Sequence, residues 1–144
     1  MQESPAILLS VIFLRKTNLK LFALGAAGYP LIEILWRRKT HWTMSLLGGV
    51  CCLSLGRFFN RFSYFSLFKK CVCGSLIITF AEFCCGCVVN IKMKRNVWNY
   101  ANLRLNIKGQ ICLVYSFLWG LLCIPVNALT GLVIKHDKKE LSPA

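Results

Sequence analysis

Acidic residues are scarce in this chain of 144 residues, which contains 5 Asp and Glu against 18 Lys and Arg. The formal net charge is therefore +13 at pH 7. In a water-soluble protein, such an excess would indicate nucleic-acid binding. Here the basic residues lie between long apolar blocks, where Lys and Arg contact lipid headgroups. We therefore expect no nucleic-acid partner.

Charge of either sign is uncommon, at 16% of residues, whereas 56% of residues are hydrophobic and the mean hydropathy is +0.57. A water-soluble domain of this length has too large a surface for its volume to bury so many apolar side chains. Apolar blocks separated by basic clusters are typical of multi-pass membrane proteins. The composition predicts an integral membrane protein whose surroundings are the lipid bilayer.

Cysteine-rich polar loops are missing, although the chain has nine cysteines. All nine lie within or beside apolar blocks, where cysteine behaves as a small apolar residue, unlike the cysteines of secreted disulfide-rich domains. Cys84 and Cys87 have the C-x-x-C spacing of a thiol oxidoreductase, but catalytic thiols need access to a redox partner. His41 and His136 lie far from the cysteines in sequence. We expect no metal, no cofactor and no enzymatic activity.

Four apolar segments approach the length of about 20 helical residues that a bilayer core about 30 Å thick requires. They are residues 19–36, 42–58, 71–91 and 110–134, the last with Pro125 as a predicted kink. Each must be helical, because lipid offers no hydrogen-bonding partner to the backbone. The predicted fold is all-α, an integral membrane bundle of four transmembrane helices over residues 19–134.

The ends of the chain are predicted to lie outside this bundle. Residues 1–18 contain an apolar stretch that is too short to span, which predicts a short N-terminal segment at the membrane interface. Residues 135–144 are predicted to form a polar tail. Basic residues are nearly balanced between the two sides of the membrane, with a slight excess that favours both termini in the cytoplasm.

An acidic residue, Glu82, stands in the middle of the third apolar segment. Ser75, Thr79, Glu82, Gly86 and Asn90 follow one another by three or four residues, so they share one helix face. A charge at the centre of a transmembrane helix costs roughly 2.5–3.5 kcal/mol. We therefore expect Glu82 to face the other helices and to have either a partner or a bound proton.

Small and polar residues recur at helical spacing on the second and fourth segments too, which predicts close helix contacts around a polar seam. These stripes are Ser45, Gly49, Cys52 and Gly56, and Cys112, Ser116, Gly120, Cys123, Asn127 and Gly131. Glu33 lies four residues before Arg37, which predicts an ion pair near the interface. The candidate intramembrane coupling site comprises Glu82, Glu33, Ser75, Thr79, Asn90 and Asn127.

The third connecting loop, residues 92–110, contains four asparagines at short intervals, together with Trp98 and Tyr100. Amides supply hydrogen-bond donors and acceptors without a charge, so this loop could fold back over the polar seam. The alternative is a segment that lies on the lipid headgroups.

The run "WNYANLRLNIKGQICL" in this loop resembles the signature of the putative ABC transporter type IV family, small bacterial membrane proteins labelled as permeases. The resemblance extends over residues 19–134 and includes Glu33 and Glu82. It implies a permease-like subunit of a bacterial plasma membrane that works with a separate ATPase. The residues of the family's motif are Trp98, Asn99, Tyr100, Asn102, Asn106, Gly109 and Gln110.

This sequence departs from the family's pattern at Asn99, where an Asp is usual, at Ala101, where Ser is usual, and at Arg104, where Pro is usual. Two other functions stay open. One is a proton-coupled small transporter that acts as a homodimer through Glu82. The other is a structural or regulatory membrane subunit that transports nothing.

Overall fold

Four long α-helices make up most of the protein. The computed structural model describes residues 5–141, with the side chains of residues 11–140. The helices are α1, Pro5–Arg37, α2, Trp42–Arg61, α3, Leu67–Gly86, and α4, Leu113–Leu141. Helix α3 continues as a π-helical segment, Cys87–Lys92, and a two-residue strand pair, β1, Asn106–Ile107, and β2, Ile111–Cys112, forms an antiparallel hairpin before α4.

All four helices are long and apolar enough to cross a membrane. The candidate spans are Val11–Arg37, Trp42–Arg61, Leu67–Lys92 and Leu113–Glu140. Large apolar side chains such as Leu35, Phe80 and Phe117 project outward and are exposed, which lipid tolerates and water does not. The predicted all-α, multi-pass membrane bundle is therefore confirmed.

The first and last helices extend further towards the chain termini than predicted. Helix α1 is continuous from Pro5, so residues 5–18 extend the first span instead of forming a separate segment. Helix α4 likewise continues to Leu141 through most of the predicted polar tail. Once a helix is nucleated, each added residue gains a backbone hydrogen bond at little further cost. Residues 1–4 and 142–144 of the predicted terminal segments lie outside the described residues.

Polar contacts join these two helical extensions. The Asp137 carboxylate of α4 is buried and accepts hydrogen bonds from the Thr17 hydroxyl, at 2.7 Å, and from the Lys20 ammonium group of α1. Lys16 forms an ion pair with Glu140 at 2.6 Å. These contacts explain why both chain segments stay helical beyond their apolar cores.

Helices α1 and α2 meet through glycines. A Cβ atom added at Gly25 of α1 would overlap the carbonyl oxygen of Gly48 of α2, and one added at Gly48 would overlap that of Gly25. Gly49 lies against the ring of Phe22. Gly49 and Cys52 of the predicted stripe on α2 therefore pack against α1, because Gly25 of α1 allows the close approach.

Helices α3 and α4 pack through the two faces that their spacing predicted. The Thr79 hydroxyl donates to the Ser116 hydroxyl at 3.0 Å, and the Ser75 hydroxyl donates to the Ser116 carbonyl oxygen. A Cβ atom at Gly120 would lie 3.7 Å from that of Ser75, in ordinary contact. These contacts fix the rotation of α3 and so direct its polar stripe towards α4.

Candidate functional site

Glu82 lies inside the bundle, with only 2% of its surface exposed. One carboxylate oxygen, Oε1, accepts a hydrogen bond from the Tyr100 hydroxyl at 2.9 Å. The other, Oε2, accepts one from the indole Nε1 of Trp119, also at 2.9 Å. Glu82 therefore faces inward with partners, as predicted, and both partners are neutral groups.

Tyr100 comes from the third loop and not from a transmembrane helix. Its ring is buried and stacks on that of Tyr115 of α4, with the ring centroids 4.5 Å apart and the planes 20° from parallel. Burial and the neighbouring Glu82 carboxyl raise the pKa of the Tyr100 hydroxyl above its usual value. The hydroxyl thus stays protonated and serves as a donor to Glu82.

The third loop folds back onto the end of α3, held by the side chain of Asn90 in the π-helical segment. The Asn90 amide nitrogen donates to the Trp98 carbonyl oxygen at 3.0 Å and to Gln110 Oε1 at 2.8 Å. Its amide oxygen accepts from the Val97 backbone N–H at 2.7 Å. The Trp98 indole in turn donates to the Gln110 carbonyl oxygen at 2.9 Å. The predicted fold-back of the loop is therefore seen at Trp98 and Tyr100, which are buried against the bundle.

Two further asparagines, Asn99 and Asn106, form hydrogen bonds with the backbone of the loop and stabilise its turns. Asn106 donates from its amide nitrogen to the Leu103 carbonyl oxygen at 2.7 Å and accepts from the Gly109 backbone N–H at 3.0 Å. Asn99 accepts from the Ala101 backbone N–H at 2.9 Å. The aspartate that is usual at position 99 in the family would accept the same hydrogen bond, so Asn99 preserves the turn. Asn102 is exposed.

Gly109 has a backbone conformation that residues with a side chain rarely adopt. Its φ angle is +67°, in the left-handed region that glycine adopts without strain. A Cβ atom there would also lie 2.6 Å from Asn99 Oδ1. The Gly109 carbonyl oxygen accepts from the Tyr100 backbone N–H at 2.7 Å. Together these motif residues form a scaffold that inserts Tyr100 into the bundle.

Glu33 forms a second buried carboxylate cluster at the same end of the protein. It accepts from Arg37 at 3.1 Å, which is the i,i+4 pair that the sequence predicted, and from the Thr40 hydroxyl at 3.0 Å. Arg37 also donates to the Val97 carbonyl oxygen at 3.1 Å. Glu33 and Arg37 share a cavity of about 220 Å³ with Tyr100, so α1 is tied to the loop that reaches Glu82.

The predicted coupling site is only partly brought together. Asn90 organises the loop that delivers Tyr100 to Glu82, and Ser75 and Thr79 bind α4. Asn127 lies elsewhere, within 3.4 Å of the Lys70 ammonium group near the start of α3, so its predicted grouping with Glu82 is wrong. Lys70 and Glu82 are twelve residues apart on α3, so a residue that contacts Lys70 is too far along the helix axis to contact Glu82 as well.

Trp119 is the partner of Glu82 that sequence reasoning missed. It lies three residues after Ser116, on the helix face that was already assigned to the polar seam. The other three tryptophans stand near the predicted ends of the spans, whereas Trp119 stands well inside one. Its indole N–H needs an acceptor when it is buried. The position of Trp119 in the middle of a span, on a polar helix face, was the feature of the sequence that could have predicted this hydrogen bond.

A cleft of about 240 Å³ leads to Glu82 between α1, α2 and α4. Its lining is apolar apart from Glu82 and a few weakly polar groups such as the Tyr29 hydroxyl. Ile32 of α1 and Leu129 of α4 line it and are 43% and 47% exposed on the outer surface, so the cleft opens between these two helices. A Cβ atom at Gly28 would meet no atom within 4 Å. The cleft therefore reaches from the outer surface between α1 and α4 to the side chain of Glu82.

A further cluster, His136, Asp137 and Glu140, has potential metal-ligating atoms within 4.8 Å of one another. Its carboxylates already bind the ammonium groups of Lys20 and Lys16. This arrangement is that of an ion-pair network that joins two helices.

The sequence profile of a family described as putative ABC-transporter type IV matches residues 20–142. No curated protein and no solved structure matches the chain. The matched region contains the third loop and the buried carboxylates Glu33 and Glu82.

Proposed function

Because this chain belongs to the putative ABC-transporter type IV family, we propose that it is the permease-like subunit of a transporter in a bacterial plasma membrane. The observation that carries the proposal is the cleft between α1 and α4, which runs from the lipid-facing surface to Glu82. A permease needs a binding site within the membrane, and buried ionisable groups at that depth mark substrate or ion pathways.

The chemistry of the cleft favours an apolar molecule that carries a cationic or hydrogen-bond-donating group. Apolar walls accept the body of such a molecule without loss of hydrogen bonds. Each oxygen of Glu82 accepts one hydrogen bond, from Tyr100 or Trp119, and a carboxylate oxygen can accept two. Glu82 thus has capacity for a further donor from a substrate.

The proposal assigns the energy source to another polypeptide. These 144 residues contain no G-x-x-x-x-G-K-[ST] sequence, the loop that binds nucleotide phosphates in P-loop ATPases. An ATPase subunit would bind at the membrane surface and change the relative positions of the helices. In this scheme the chain itself carries out no chemical reaction.

A second candidate is a proton-coupled transporter that works as a homodimer. It is favoured by the neutral character of the two donors to Glu82, Tyr100 and Trp119. Because neither supplies a positive charge, the carboxyl can exchange a proton for a cationic substrate. This candidate needs no ATPase.

Purification of the chain from its native membrane in a mild detergent separates the candidates. We expect a polypeptide with a P-loop to copurify in a fixed ratio, which quantitative mass spectrometry would measure. A complex of two copies without an ATPase would instead support the homodimer. Recovery of the chain alone, as a monomer, would contradict both and favour a structural or regulatory subunit.

Closure of the cleft should stop transport without unfolding the protein. Gly28→Leu places a side chain in open space within the cleft, so we expect at least a tenfold lower rate with near-normal stability. The measurement is uptake of a lipophilic fluorescent cation into vesicles containing the purified complex. The matched control is Ala27→Leu, on the exposed face of the same helix. Equal rates for the two variants would exclude this cleft as the path.

A further inference from the structure

A further cavity, of about 370 Å³, lies at the opposite end of the bundle from the third loop. It is formed where α2 ends, α3 begins and α4 approaches its C-terminal end. Three lysines from two helices converge on it, Lys70, Lys135 and Lys138. Its remaining polar lining includes Asn60, Ser63 and Asn127, and the Lys70 ammonium group donates to Asn127 Oδ1 at 3.4 Å.

The carboxylates of the described residues are engaged elsewhere. Glu33 binds Arg37, Glu82 binds two neutral donors, Asp137 binds Lys20 and Glu140 binds Lys16. Within residues 11–140, none of them forms an ion pair with a lysine of this cavity. Three like charges that share a cavity repel one another. An anion that entered would relieve this repulsion.

Beside its lysines the cavity also has an apolar wall, which runs from the buried Phe59 to the exposed surface at Gly131. Gly131 lies one helical turn before Lys135, and a Cβ atom there would meet no atom within 4 Å. Phe59 and Ile134 line the same space. The cavity therefore has a cationic rim of lysines beside an apolar surface at Gly131 and Ile134.

We propose that this cavity binds an anionic phospholipid, with the phosphate group between Lys70, Lys135 and Lys138 and an acyl chain along Gly131. Phosphate accepts several hydrogen bonds and is a common partner of lysine clusters at the ends of transmembrane helices. Free phosphate would satisfy the lysines equally well. The apolar surface at Gly131 distinguishes the two, because only a lipid has an acyl chain that can cover it.

The test measures binding of dioleoylphosphatidylglycerol to the purified full chain by native mass spectrometry in a neutral detergent. We expect the double variant Lys70→Gln with Lys138→Gln to bind about 30-fold more weakly, since each lysine near a membrane surface contributes about 1 kcal/mol. The matched control is Lys92→Gln with Lys108→Gln, two exposed lysines at the other end of the bundle. It removes the same charge, and we expect its affinity to change less than threefold.

Gly131→Leu separates a lipid from free phosphate. This variant keeps every lysine but places a bulky side chain on the surface along which the acyl chain would lie, so we expect at least a tenfold loss of phosphatidylglycerol binding. Binding of inorganic phosphate should be weak and unaffected by Gly131→Leu. Equal losses in the two double-lysine variants would overturn the site, because they would indicate general surface attraction. Unchanged lipid binding by Gly131→Leu would overturn its assignment to a lipid.

Discussion

Replacing Gly48 with alanine is expected to lower the free energy of unfolding by about 2–3 kcal/mol. The added methyl group would overlap the Gly25 carbonyl oxygen, a backbone atom that cannot rotate away as a side chain does. The two helices would have to separate, which would weaken the contacts of Gly49 with Phe22 in the same interface. Chemical denaturation in detergent, followed by tryptophan fluorescence, would measure the loss.

The matched control is Gly131→Ala, where the added methyl group meets no atom within 4 Å. Since alanine favours a helix by about 1 kcal/mol over glycine, we expect this variant to be as stable as the parent or slightly more stable. Gly25→Ala should resemble Gly48→Ala, and the two losses should not add in the double variant, because both disrupt one contact. Equal stability of Gly48→Ala and Gly131→Ala would show that α1 and α2 do not pack this closely.

Replacing Glu82 with glutamine should reduce transport about 10- to 100-fold and leave the fold nearly intact. The glutamine oxygen can accept from the Trp119 indole, and its amide can donate to the Tyr100 hydroxyl oxygen, so both buried partners keep a hydrogen bond. What disappears is the group that can carry a negative charge, and a hydrogen bond to a charged group is worth about 1.5–3 kcal/mol. Transport of a lipophilic fluorescent cation and the unfolding midpoint would be measured on the same preparation.

Glu82→Leu should instead damage the structure. It leaves the Trp119 N–H and the Tyr100 hydroxyl buried without an acceptor, at about 1–3 kcal/mol for each group. Glu140→Gln is the control for charge removal alone, because it breaks an exposed ion pair with Lys16, and exposed ion pairs contribute little to stability. Normal transport by a stable Glu82→Gln protein would rule out a coupling role for this carboxyl.

Several features follow from local sequence and were predictable. Hydropathy over about 20 residues depends only on neighbours in the chain, so the four spans are recognisable without a structure. The inward direction of Glu82 follows from the helical spacing of Ser75, Thr79 and Gly86. The pair of Glu33 with Arg37 follows from a separation of four residues.

The sequence by itself therefore determined the surrounding solvent, the four membrane spans and the helix face on which Glu82 lies. Only the tertiary structure decided which faces meet, because that depends on the rotation and tilt of each helix and on contacts between residues distant in sequence. It paired α2 with α1 through Gly25 and Gly48, and it gave Glu82 its partners Tyr100 and Trp119. A helical stripe shows that a side chain must point inward, but its partner is fixed by the packing of the other helices.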